Sequence, residues 1–325
     1  MKDIYKDDKA YFVHDAVSQS RLKLLDPRRS GSPVLYLNGF KDEEPDFSKR
    51  YFDTGSAFHL GLLEPEKIVK VKYFRPSAKI GQVADRLINF YPTIIEMDEV
   101  QKEAIIEQAC KEEAYGQSYA EETRAKNIKA AKTLEYVEEQ IKNQKNSVMS
   151  LSEDEYNNVK QAVKSFKENL FCLQTLSQKD ILKEQVVLFK IKEVACKAKL
   201  DIVSIEEDVI TILDPKTTGK SARDPWFIKK NGVDFQLAFY KHAALELYKK
   251  KFGVAATDKV KINVFTSITE LSGLYETVVY KIKDETLEEA ENNVYSLINR
   301  LKFHKDSDKW GRSMEEMING GYIEY

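Results

Sequence analysis

Residues 184–218 read EQVVLFKIKEVACKAKLDIVSIEEDVITILDPKTT. Three β-rich runs, at 184–191, 194–203 and 208–213, are separated by short polar breaks and predict three successive strands, a meander. Acidic residues mark their ends. Glu184 opens the first run, Asp201 closes the second, and Asp214 closes the third with Lys216 two residues further on. Side chains alternate along a strand, so Asp214 and Lys216 share one side of the backbone. In a meander these ends can converge on one rim. Carboxylates gathered there offer the oxygen ligands that hard cations such as Mg2+ take, with room left for water and a phosphate. A bound cation lowers the pKa of a nearby lysine, which can then help deprotonate or orient an attacking water. The plainer alternative is a surface ion pair at a strand end.

The flanking sequence predicts what surrounds these strands. A loop runs through Thr217, Gly219 and Pro225, followed by a long amphipathic helix over 233–250. Gln236 and Tyr240, four residues apart, lie on one face of that helix, and both can hydrogen-bond phosphate or water. Two further strands, 260–268 and 275–282, precede a last helix over 286–301. Upstream, Ser152 and Glu155 have capping-box spacing at the start of a helix that places Val159, Val163, Phe166 and Leu170 on one side. Residues 97–150 contain no proline and one glycine, which predicts a mostly helical, solvent-facing arm.

Nearer the N-terminus, a short helix over 18–25, with Ser20 as its N-cap, stops at Pro27. Another over 55–63, capped by Asp53 or Thr54, carries His59 among apolar neighbours and ends before Pro65. A strand over 67–74 is broken by Pro76. This order of elements predicts an α/β or α+β domain with one mixed sheet.

Composition narrows the function classes. The 51 Lys and Arg against 53 Asp and Glu give a net charge of −2, so any nucleic-acid contact must use a local patch rather than a global positive field. A mean hydropathy of −0.50, no apolar run near the ~20 residues that span a bilayer, and no apolar leader predict a cytoplasmic protein with no membrane partner. Cys110, Cys172 and Cys196 are widely spaced, which disfavours disulfides, structural zinc and an iron–sulfur cluster. Thr217-Thr218-Gly219-Lys220-Ser221 imitates the tail of a phosphate-binding loop. Its first glycine would fall at Asp214, which repels phosphate, and Pro225 interrupts the helix that must follow, so no ATP site is expected.

Taken in order, several segments resemble the PD-(D/E)XK nucleases, specifically the RecE-type, exonuclease VIII-like branch of phages and prophages. VSQSRLKLLDPRRSGSPVLY is similar to that family's opening helix and Ser-Pro segment, and FDTGSAFHLGLLEPEKI to its Gly-x-x-x-His helix, filled here by Gly55 and His59. EQVVLF, AKLDIV, ILDPKTT and DFQLAFYKHAALELY are similar to its Glu strand, Asp strand, Asp-x-Lys-Thr-Thr strand and Gln-x-x-x-Tyr helix. Leu200 stands where the family has proline before its first aspartate, and Pro215 sits inside the Asp-x-Lys segment. Residues 80–150 look longer than in bacterial members.

The resemblance implies a restriction-endonuclease-like core with a mixed central sheet flanked by helices. Residues 1–80 would form the N-terminal helical part, 81–150 a helical insertion and 151–325 the nuclease core. It implies Mg2+-dependent hydrolysis, with Mn2+ as a possible substitute, from the ends of linear double-stranded DNA, 5′→3′, leaving single strands for phage-type recombination. Asp201, Asp214, Glu184, His59 and the Pro215 carbonyl would hold metal, and Lys216 would position the water. Gln236 and Tyr240 would orient these groups, and Ser20, Arg21, Thr217 and Thr218 would contact DNA, Ser20 receiving the 5′ phosphate. A ring-shaped homo-oligomer and a single-strand annealing protein or recombinase are the partners it suggests. An endonuclease or repair nuclease on branched or damaged DNA, or a non-catalytic DNA-binding module, are the alternatives.

Overall fold

The computed structural model describes residues 8–39, 54–257 and 259–323, so the Asp53 cap lies outside the described residues. Its strands are β1 (Ile68–Lys70), β2 (Met149–Leu151), β3 (Ile181–Ile191), β4 (Val194–Ile205), β5 (Val209–Thr218), β6 (Lys261–Glu270) and β7 (Thr277–Lys281). The helices before the main sheet are α1 (Asp8–Val13), α2 (Gln19–Lys23), α3 (Pro33–Asn38), α4 (Thr54–Leu63), α5 (Ala78–Phe90), α6 (Glu99–Glu112), α7 (Glu121–Ala130), α8 (Thr133–Lys145), α9 (Glu153–Glu168) and α10 (Leu170–Leu176). Those after its third strand are α11 (Phe227–Asn231), α12 (Val233–Phe252), α13 (Asp284–Ser307) and α14 (Met314–Ile318). The chain divides into two compact units, one holding Met1–Phe47 with Lys164–Tyr325, the other Ser48–Val163.

The first unit is built on a five-stranded mixed sheet in the order β3-β4-β5-β6-β7. β3, β4 and β5 form the expected antiparallel meander, β5 and β6 run parallel, and β7 returns antiparallel. The β3–β4 hairpin turns on Lys192 and Glu193, both at positive φ, 45° and 70°, the backbone of a two-residue turn whose twist matches that of its strands. Parallel pairing of β5 with β6 requires a crossover, which α11 and α12 supply. β5 extends through Thr218, paired to Glu270, where the sequence predicts a loop from Thr217; the ladder with β6 carries the chain past Pro215.

Helix α12 is more buried than an amphipathic helix. Phe235, Leu237, Phe239, Ala243, Ala244 and Tyr248 are all buried, because the sheet covers one side and α13 another. Phe239 meets Phe189 of β3 edge to face at 5.2 Å, and three alanines at 238, 243 and 244 let the helix approach closely. A single bridge from Val17 to Cys196, with Val17 N–H donating to the Ala195 carbonyl at 3.0 Å, seats the N-terminal segment on β4. The buried Lys197 donates to the carbonyls of Tyr11, Phe12 and His14, so the end of α1 is tied to the same strand.

The α12–α13 contact carries an ionic clamp. The Glu291 carboxylate lies 2.9 Å from His242 Nε2, accepts from Lys241 Nζ at 2.9 Å and from the Tyr295 hydroxyl at 3.2 Å. The His242 hydrogen bond, then Lys241, hold its carboxyl down at about 2 against burial, below the usual 4.5. A pKa depressed in the folded state adds stability above the unfolded value and loses it as pH falls towards 2. Wild type should therefore exceed Glu291→Gln in stability by about 1–2 kcal/mol near neutrality, the full linkage value being discounted for solvent screening. That margin should shrink to nothing between about pH 5 and 2, as urea unfolding at a series of pH values would show.

The second unit has its own core of Val83, Leu87, Ile106, Cys110, Val137 and Ile141, contributed by α5, α6 and α8. The predicted 67–74 strand is reduced to β1, paired in parallel with β2, which the sequence reading missed. The Ser152–Glu155 capping box is present in both directions, at 2.8 and 3.4 Å. Thr54 is the first residue of α4 rather than its cap. All three cysteines are buried and free, and among the described residues no helix is long and apolar enough to cross a membrane.

Candidate active site

Strand register sets the geometry. Lys183 pairs with Ile202 and Gln185 with Leu200, so Glu184 stands level with Asp201 across β3 and β4. Ile202 pairs with Leu213, which puts Asp201 level with Asp214 on β5. Residues directly opposite in antiparallel strands point to the same face, so the register aligns three carboxylates on one face in a row. The β4–β5 ladder ends at the Ile202–Leu213 pair, one residue short of the two aspartates. Glu184 has φ +48°, a backbone conformation that a non-glycine residue adopts at a cost, and one such sites often retain.

Each carboxylate has a defined neighbour. Asp214, only 1% exposed, has Oδ2 at 2.8 Å from Lys216 Nζ and accepts at Oδ1 from Gln236 Nε2 at 3.1 Å. The same amide nitrogen lies 2.9 Å from the Tyr240 hydroxyl, so α12 braces β5 through the i, i+4 pair read from the sequence. The Thr266 hydroxyl donates to the Asp214 carbonyl at 2.8 Å and holds the backbone on its β6 side. Glu184 pairs with Lys199 Nζ at 2.5 Å. Lys199 was not singled out in the sequence, although it stands two residues before Asp201 and period-2 alternation puts both on one face.

Electrostatics identify the site as one suited to a cation. Burial first, then the charges of Asp214 and Glu184, push the Asp201 carboxyl well above the usual carboxylate range, against the pull of Lys216. Burial, then Asp201 and Asp214, also raise the Tyr240 hydroxyl, which stays neutral and accepts from the Gln236 amide. For Lys216 burial acts downward, yet Asp214 and Asp201 together outweigh it and hold the ammonium above its ordinary value. The lowered lysine pKa expected from the sequence is therefore not produced by the protein's own groups. Ligand oxygens of Glu184 and Asp201 fall within 4.8 Å of one another, a spacing one hard divalent cation bridges. A carboxylate row in which burial, and then mutual repulsion, raises a pKa fits such an ion.

The remaining predicted residues are distributed as follows. His59 lies in mid-α4, in the second unit, edge-on to Phe58 at 6.0 Å. Ser18, not Ser20, caps α2, its Oγ accepting from Arg21 N–H at 3.3 Å; Ser20 lies inside the helix and contacts the Ser18 hydroxyl at 2.9 Å. Ser20 is thus the second residue of α2, still in its first turn, and Arg21 follows it. Pro215 sits beyond the end of the β4–β5 ladder, where a residue without an N–H is tolerated. Thr217 and Thr218 close β5, and Thr218 Oγ1 accepts from Lys220 N–H at 3.0 Å.

The sequence profile of the PD-(D/E)XK nuclease superfamily matches residues 34–313, most of the chain and all of the strands that carry this site. The chain belongs to that superfamily. Nucleases of this superfamily use divalent metals. No curated protein matches the chain. Among solved structures, one from Eubacterium rectale described as "Putative exonuclease" is 12% identical, with 100% of this chain and 94% of that one covered and a TM-score of 0.46. The mixed sheet flanked by helices is that of a PD-(D/E)XK nuclease.

Proposed function

We propose that this nuclease is a Mg2+-dependent exodeoxyribonuclease that degrades linear double-stranded DNA from its ends, 5′→3′, and leaves single strands for recombination. The observation that supports it best is the alignment of Glu184, Asp201 and Asp214 beside Lys216 in a chain of this superfamily. Asp201, Asp214 and Glu184 would hold the ion, with the Pro215 carbonyl as a further oxygen donor. A divalent cation supplies Lewis-acid stabilisation of the charge that develops on the phosphate. Lys216, kept protonated by its carboxylate neighbours, orients the attacking water and offers positive charge to the phosphate rather than serving as the free base. Gln236 keeps Asp214 in place, and Tyr240 keeps Gln236.

The test separates end-dependent from internal cleavage. With Mg2+ present, linear duplex labelled at the 5′ end should lose its label to mononucleotides, a 3′ label should persist longer, and a covalently closed circle should remain intact. Nicking or linearising of the circle would replace the exonuclease with an endonuclease on the same site. DNA bound but uncut in both forms would leave a binding module.

A further inference from the structure

Among the described residues, one cation beside this site makes no ion pair. Lys23, in the last turn of α2, is half-buried, with Nζ 5.7 Å from the centre of the Phe235 ring. Phe235 immediately precedes Gln236, whose amide holds Asp214, so the ammonium lies at the α12 end of the catalytic row. Burial, then the charges of Arg29 and Lys216, lower its pKa to about 8, while Asp214 and Asp234 pull the other way; all four groups therefore lie within its field. Among the described residues no hydrogen bond or ion pair engages its Nζ. Other cations nearby are satisfied: Lys216 by Asp214, Lys229 by Asp234 and Glu289, and Arg29 by the carbonyls of Lys229 and Lys230.

A desolvated ammonium without a counter-ion is costly unless something anionic completes it. Phe235 also lines a cleft of about 360 Å3 with Arg28, Arg29, Lys229 and Lys230 and with the carboxylates Asp26, Asp234 and Glu289. We propose that Lys23 is a substrate-binding residue that holds a backbone phosphate of the cleaved strand next to the scissile one. The inference rests on the nuclease reading and adds a subsite to it. The contact is charge-assisted and sequence-independent, so it sets affinity and register rather than base preference.

Binding of a fluorescent linear duplex, measured with Ca2+ in place of Mg2+ over a range of salt, tests it. Lys23→Gln should bind about tenfold more weakly, and its slope of log K against log salt should fall by about 0.9, the signature of one lost phosphate contact. Lys23→Arg should restore both. In turnover, Lys23→Gln should raise KM more than it lowers kcat. Unchanged affinity and slope in a folded Lys23→Gln would overturn the proposal. Should that variant fail to fold, amine-directed acetylation of wild type with mass-spectrometric readout decides: duplex DNA should protect Lys23, and equal labelling with and without DNA would overturn it. Wild type that cuts DNA while Lys23 proves indifferent removes this inference alone; wild type that neither binds nor cuts removes the nuclease reading as well.

Discussion

Asp214→Asn should lower the rate of cleavage of linear duplex DNA by about 10^3-fold or more, at about 1.36 kcal/mol per tenfold, while the protein stays folded. Three groups engage Asp214. One oxygen faces Lys216 at 2.8 Å, the other accepts from Gln236 at 3.1 Å, and its carbonyl accepts from Thr266. The amide has the same shape and can keep a contact to Gln236, and the backbone bond from Thr266 is untouched. What it loses is the negative charge, and with it both the anionic oxygen ligand and the ion pair that fixes Lys216. Single-turnover rates of the two proteins under saturating enzyme would measure the loss, and circular dichroism would verify the fold. A reduction below about tenfold would mean that Asp214 is only a structural ion pair.

Withdrawal of divalent cations should have an effect of at least the same size. Among the charges crowded at the row, Lys216 is a cation within ion-pair distance of Asp214, at 2.8 Å. Burial first, and then that crowding, makes Asp201 retain its proton to higher pH than an ordinary carboxyl. A phosphodiester, itself anionic, would be repelled by Glu184 and Asp214 as they stand. Chelation should therefore remove both the charge that lets phosphate approach and the stabilisation of the transition state. Substitution of Mn2+ for Mg2+ should retain turnover, because both accept octahedral oxygen ligation.

Much of this site was legible in the sequence because strands obey simple arithmetic. Once the break at Lys192 and Glu193 is read as a two-residue turn, Ile191 must face Val194, and counting outward puts Glu184 opposite Asp201. Period-2 alternation likewise puts Lys216 with Asp214, and the i, i+4 spacing puts Gln236 with Tyr240. Other features depend on partners distant in the chain. β5 continues past Pro215 because β6, some fifty residues away, supplies the ladder, and α12 loses its polar side because α13 covers it. The choice between Ser18 and Ser20 as the cap of α2 turns on a shift of two residues, which composition does not determine. Lys23 carries no local mark at all. Its place beside the row arises from the bridge of Val17 to β4, which brings the N-terminal segment to the sheet.

The measurement that tests the central claim most directly is the digestion of one end-labelled linear duplex by wild-type protein, with Mg2+ and with EDTA, in otherwise identical buffer. The arrangement of Glu184, Asp201, Asp214 and Lys216 predicts release of label with Mg2+ and none with EDTA. Cleavage that persists in EDTA, or intact duplex in both, would contradict it.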